Sequence, residues 1–146
     1  MRLKTLFYLF ILTIGSQSCN EEDCCLPADL NDLPGEYLVY EYGYSPGDRY
    51  IVEQVPAEPP QLLIFDISGA FESNYGGLTD FNHYRVYEHP TEGKILALYK
   101  DNPPPDDQVD LALLQDSYIM STDEGNLRLY YRYCIEGCHI GVKRLK

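Results

Sequence analysis

The sequence predicts an all-β domain, and three observations carry the prediction. Short runs rich in Val, Ile, Leu, Tyr and Phe recur from Pro34 onward, and residues of these kinds suit a pleated, half-buried surface. Turn residues separate the runs at intervals of about 8–12 residues, the rhythm of a barrel or a sandwich. No window carries a convincing amphipathic helix, and Val109–Gln115 suffices only for one turn or a strand extension.

In chain order the expected strands begin with Tyr37–Tyr42 and Tyr50–Val55. If Tyr37 and Val39 face the interior, period-two alternation sends Glu41 there too. An interior carboxylate would select a polar or cationic ligand group; the competing reading leaves Glu41 at the rim, in water. Gln54–Gln61 carries Pro56, Pro59 and Pro60. Proline lacks the N–H that a ladder needs, so this segment is expected as a loop.

Leu62–Asp66 and Ala70–Asn74 follow, divided by Ser68-Gly69, with Gly76-Gly77 beyond them. His83–Glu88 and Lys94–Lys100 flank Glu92-Gly93. At these glycines a positive φ costs little. Asp101–Asp107 holds three successive prolines and reads as a second loop. Both proline loops suit binding at a barrel mouth or plain connection with edge protection. Ser117–Ser121 precedes the turn Glu124-Gly125-Asn126, and Leu127–Cys134 with Cys138–Leu145 form a closing hairpin. Its three-residue turn, Ile135-Glu136-Gly137, has glycine where a left-handed residue belongs.

Composition narrows the function. Beyond Cys19 about 125 residues remain, enough for one domain. They carry 9 basic and 23 acidic residues, a net charge of −14. Such a surface repels phosphate backbones, so nucleic acid is not an expected partner. Tyrosine occurs 14 times and tryptophan never. There is no His-Glu-x-x-His, and His83, His89 and His139 stand apart. Asp101, Asp106 and Asp107 lack the spacing of a calcium loop. No enzyme activity, cofactor or metal is therefore expected.

The N-terminus speaks to location. Arg2 and Lys4 precede an apolar run from Leu6 to Ile14, and small and polar residues lead to Cys19. That is the layout of a secretory signal. As a helix the run reaches about 15 Å, half of what a bilayer span needs. A cysteine at the cleavage point resembles a bacterial lipoprotein signal, with Ser18 fitting the lipobox and Ser16 and Gln17 departing from it. The acidic Asn20-Glu21-Glu22-Asp23 is similar to surface-display signals of some Gram-negative groups. This likeness implies acylation at Cys19 and anchorage in a Gram-negative outer membrane, on the periplasmic face or at the cell surface. Several acyl chains hold firmly, since each buried methylene adds about 0.8 kcal/mol.

The expected layout is thus a signal peptide over 1–18, an acidic tether over 19–33 and the folded domain over 34–146. With Cys19 acylated, Cys24, Cys25, Cys134 and Cys138 are an even set, which favours disulfides in an exported chain. Two arrangements stand open: bridges from the first pair to the second, or Cys134 with Cys138 closing their own hairpin. A zinc site using His139 beside Cys138 is disfavoured by oxidising surroundings and the absence of Cys-x-x-Cys.

Three short motifs carry a family resemblance. Leu33-Pro34-Gly35-Glu36-Tyr37 is similar to the Gly-x-Trp opening of lipocalins, with Tyr37 in the tryptophan position. Leu63–Phe71 resembles their strand, polar-Gly turn and aromatic strand. Cys134–Cys138 followed by Lys143-Arg144 resembles the last hairpin of small lipocalin-like lipoproteins. The resemblance implies an up-and-down antiparallel β-barrel of about eight strands, closed by Arg144 packing on Tyr37. It also implies an interior able to hold a small apolar or amphiphilic ligand, with Tyr84, Tyr99, Tyr131 and Glu41 as lining candidates. The rival expectation is a structural or protein-interaction lipoprotein of the envelope with a filled core.

Overall fold

The computed structural model describes residues 26–135 and 137–146, so the expected signal peptide, Cys19, Cys24 and Cys25 lie outside the described residues. Nine strands follow one another: β1 (Gly35–Tyr44), β2 (Ile51–Gln54), β3 (Leu62–Phe65), β4 (Phe71–Ser73) and β5 (His83–His89). They continue as β6 (Gly93–Tyr99), β7 (Ser117–Asp123), β8 (Asn126–Tyr131) and β9 (His139–Arg144). Every ladder between them is antiparallel.

β2 and β3 share one edge of β1: β2 lies opposite Glu41–Tyr44 and β3 opposite Gly35–Leu38. They are two halves of one barrel stave, parted where the prolines forbid a continuous ladder. The Val55 N–H donates to the Tyr40 carbonyl and the Val39 N–H to the Gln61 carbonyl, both at 2.8 Å, pinching the excursion at its base. Nine segments therefore make eight staves in sequential order, and β9 returns to β1. The fold is an up-and-down antiparallel eight-stave barrel, nearly closed. At the last seam, between β4 and β5, pairing is short: Phe71 N–H to Asn82 O at 2.8 Å and Tyr84 N–H to Gly69 O at 2.9 Å.

Alternation sends Tyr37, Val39, Leu63, Phe65, Phe71, Leu96, Leu98, Met120, Leu127, Leu129 and Val142 inward, where they fill the barrel's middle. Phe65 lies edge-on to Tyr37 and Tyr84 and tilted against Phe71. Edge-to-face rings of this kind add to the burial of their area.

The two ends differ. One is capped by the segment before β1, although the sequence suggested a plain tether there. Leu26 N–H donates to Arg144 O at 3.0 Å and Ala28 N–H to Gly125 O at 2.8 Å, while Leu33 is buried. Ala28, Leu30 and Leu33 are apolar, and this end of the core offers them a surface to cover. Tyr37 and Arg144 are register partners at this end. The Tyr37 hydroxyl donates to Leu33 O, and Arg144 donates to Pro34 O, each at 2.8 Å, so the pair pins the cap. The opposite end carries the β1–β2 loop, the 74–82 loop and the β8–β9 turn, and it stays open.

The closing hairpin is shorter than its expected strands. β8 stops at Tyr131 and β9 starts at His139, so the connection between them is longer than the expected three-residue turn. Arg132 leaves the ladder to bond Glu92 at 2.8 Å and Leu111 O at 2.7 Å. Gly137 has the expected left-handed φ, +88°. Cys134 and Cys138 are joined across the turn, with Cα atoms 5.6 Å apart.

Candidate functional site

The open end holds a cup of about 220 Å³ lined by Tyr42, Tyr75, Tyr118 and Tyr131, with Leu129 and Ile140, and also by Gly43, Cys138 and His139. Tyr118 and Tyr131 are cross-strand partners of β7 and β8, their rings 5.5 Å apart. Tyr42 stands on β1 opposite Glu53 of β2, and Tyr44 stacks on it at 5.7 Å. Both hydroxyls donate to the Glu53 carboxylate, that of Tyr44 at 2.7 Å.

These bonds set the charge of the mouth. Donation by Tyr42 and Tyr44 holds the Glu53 carboxyl below its ordinary range. The same bond to Glu53 pushes Tyr42 up to about 12. Burial is the main reason that Tyr75 and Tyr118 are raised as well. At neutral pH Tyr42, Tyr75 and Tyr118 are therefore neutral phenols, and the Glu53 carboxylate, outside the residues that line the cup, is bonded to the Tyr42 hydroxyl.

The expected lining residues are placed unevenly. Tyr131 lines the cup. Tyr84 points inward but lies deeper, buried against Phe65, and donates its hydroxyl to Asp66 O at 2.9 Å. Tyr99 faces outward, because register pairs Tyr84 with Leu98 and so puts Tyr99 on the other face beside His83. There its hydroxyl meets that of Tyr87 at 2.9 Å.

Glu41 also lies outside the barrel, against the simple alternation. A bulge falls between Val39 and Glu41: Val39 pairs with Val142 and Glu41 with Gly141, leaving Tyr40 as the extra residue. One added residue reverses the phase of everything after it. Tyr42 is thereby turned into the cup and Glu41 onto the outer wall. Glu41 is nonetheless buried, at 6% exposure. It accepts from His139 Nε2 and from the Arg128 guanidinium, each at 3.1 Å, and Arg128 also reaches Asp123 at 2.9 Å. On the far side of the His139 ring, Nδ1 shares a hydrogen bond with the Tyr50 hydroxyl. Burial alone would raise the Glu41 carboxyl, but the His139 bond and the Arg128 charge outweigh it and hold it low.

Tyr42, Tyr75, Tyr118 and Glu53 are the site residues that sequence reasoning did not single out. Tyr118 was accessible through its pairing with Tyr131 once the β7–β8 turn was placed. Tyr42 was hidden behind the bulge. Comparison with protein-family models, curated proteins and solved structures finds no match to this chain.

Proposed function

We propose that this chain is a non-catalytic, lipid-anchored protein of a Gram-negative outer membrane, built like the lipocalin-like lipoproteins it resembles, that holds a small amphiphilic molecule at its mouth. The cup carries this reading: a concave site lined mainly by aromatic and apolar side chains, with a few polar groups among them, is the form small-molecule sites take. Because the core beneath is filled, the ligand enters by one end and leaves the rest outside. Leu26 sits at the capped end, and seven residues from Cys19 to Leu26 reach at most about 25 Å. An acylated Cys19 therefore holds the cap toward the bilayer and the cup away from it.

The test is native mass spectrometry of protein purified from its own host. The expected result is triacyl mass on the Cys19 peptide and a bound small molecule released when Tyr131 is replaced by alanine. A product with no acyl mass overturns the anchorage. A ligand-free protein that also takes up no added amphiphile overturns the binding reading. The filled core favours a second reading, a scaffold that meets another envelope protein, and one partner recurrently crosslinked in cells would select it.

A further inference from the structure

We propose that the mouth is a cage for a small organic cation, a quaternary or substituted ammonium head rather than a neutral or anionic one; this deepens the binding reading above and rests on it. Four phenol rings surround the cup, and Tyr44 extends the Tyr42 face at its rim. Ring faces are negative and attract a cation within about 6 Å of the centroid. Among the described residues that line the cup there is no Lys or Arg, and His139, which also lines it, has both ring nitrogens engaged, by Glu41 and Tyr50. The bond to Glu53 has the larger effect on the Tyr44 hydroxyl and pushes it up, while Arg49, in the loop beyond Tyr44, is near enough to draw it down.

Glu53 sharpens the preference. Its carboxylate accepts from Tyr42 and Tyr44 and has acceptor capacity left. A phenol that donates to a carboxylate becomes more electron-rich, so the same bond that orients Tyr42 strengthens its face toward positive charge. A neutral apolar head would gain the rings but nothing from that carboxylate, and an anion would be repelled by it. Size agrees as well: about 220 Å³ equals roughly seven waters at about 30 Å³ each. That suits a trimethylammonium-sized head and not a whole lipid. The net charge of −14 on the mature chain draws cations toward the surface in general.

The experiment compares choline with 3,3-dimethylbutan-1-ol, its neutral isostere, titrated into the full mature domain and followed by NMR of labelled tyrosine rings. Choline is expected to shift Tyr42, Tyr118 and Tyr131 and to bind at least tenfold more tightly than the alcohol. Glu53→Gln should weaken choline severalfold and leave the alcohol unchanged. Glu72→Gln, which removes an outward-facing carboxylate of β4, should change neither. Equal or tighter binding of the alcohol overturns the cation proposal and leaves the cup reading standing. Binding of neither probe to a domain with native near-ultraviolet dichroism takes down both. A Glu53→Gln effect matched by Glu72→Gln reduces the attraction to net charge and overturns the cage.

Discussion

Glu41, His139 and Arg128 show how a charged cluster survives on the wall of a barrel. Nε2 of the imidazole is bonded to the Glu41 carboxylate, which can only accept, and Nδ1 shares a hydrogen bond with the Tyr50 hydroxyl on the other side. Removing the Glu41 charge weakens the acceptor that the buried His139 Nε2 faces, while Arg128 keeps Asp123. Glu41→Gln is expected to cost about 2 kcal/mol at pH 7, read from urea unfolding, below the range for fully buried pairs because Arg128 is partly exposed. The pH sign follows from the lowered carboxyl. Its stabilisation is complete above the unfolded value near 4.3 and fades as pH falls through the lower folded value. The gap between wild type and Glu41→Gln should therefore close in strong acid. A gap that persists unchanged at low pH would show that shape, not charge, is what Glu41 supplies.

At the level of elements, the strands were legible and the phase of the first one was not. Pleat and turn signals are local, so each of the nine expected segments contains a strand. A bulge is a property of two strands together: Tyr40 looks like any strand residue until β9 is laid beside it. Tyr84 and Tyr99 were equally plausible inward residues, because both faces of β5 and β6 carry apolar side chains, and only the register separates them. The bulge also leaves Gly141 under Glu41, where an added Cβ would meet Glu41 Cγ at 2.5 Å and Tyr40 Cζ at 3.0 Å. Gly141→Ala should cost about 1–3 kcal/mol, as overpacking does. A neutral result in thermal unfolding would mean that the bulge relaxes freely. The Cys134–Cys138 link closes a short loop, so reduction should lower stability by only about 2 kcal/mol in the chain-entropy account. Denaturant midpoints with and without reductant measure it, and unfolding on reduction would contradict it.

Across the whole molecule, the two ends do different work. The cup is open and polar-aromatic, while the cap is held by backbone bonds and by Leu33 seated under Tyr37. Leu33→Ala should cost about 2–4 kcal/mol as a buried large-to-small change. Ligand affinity of the folded fraction should stay the same, because the cup lies at the far end. A parallel loss of binding would show that the barrel transmits strain along its length. The capped end was misjudged from sequence because its acidic residues suggested a solvated tether. Ala28, Leu30 and Leu33 are too few to announce a packed segment without the core that they cover. The filled middle was likewise hidden, since inward residues read alike whether they surround a cavity or meet one another.

Leu26 and Lys146 both lie beneath the cap, the first bonded to Arg144 and the second to Glu36. Head and tail of the described chain can thus be joined by a few glycines without disturbing any stave. New termini then fit in the proline excursion at 56–60, which is exposed and lies outside every ladder. Such a circular permutant should fold with its cup intact. It would also show that the route of the chain around the barrel, rather than the place where it starts, specifies the architecture.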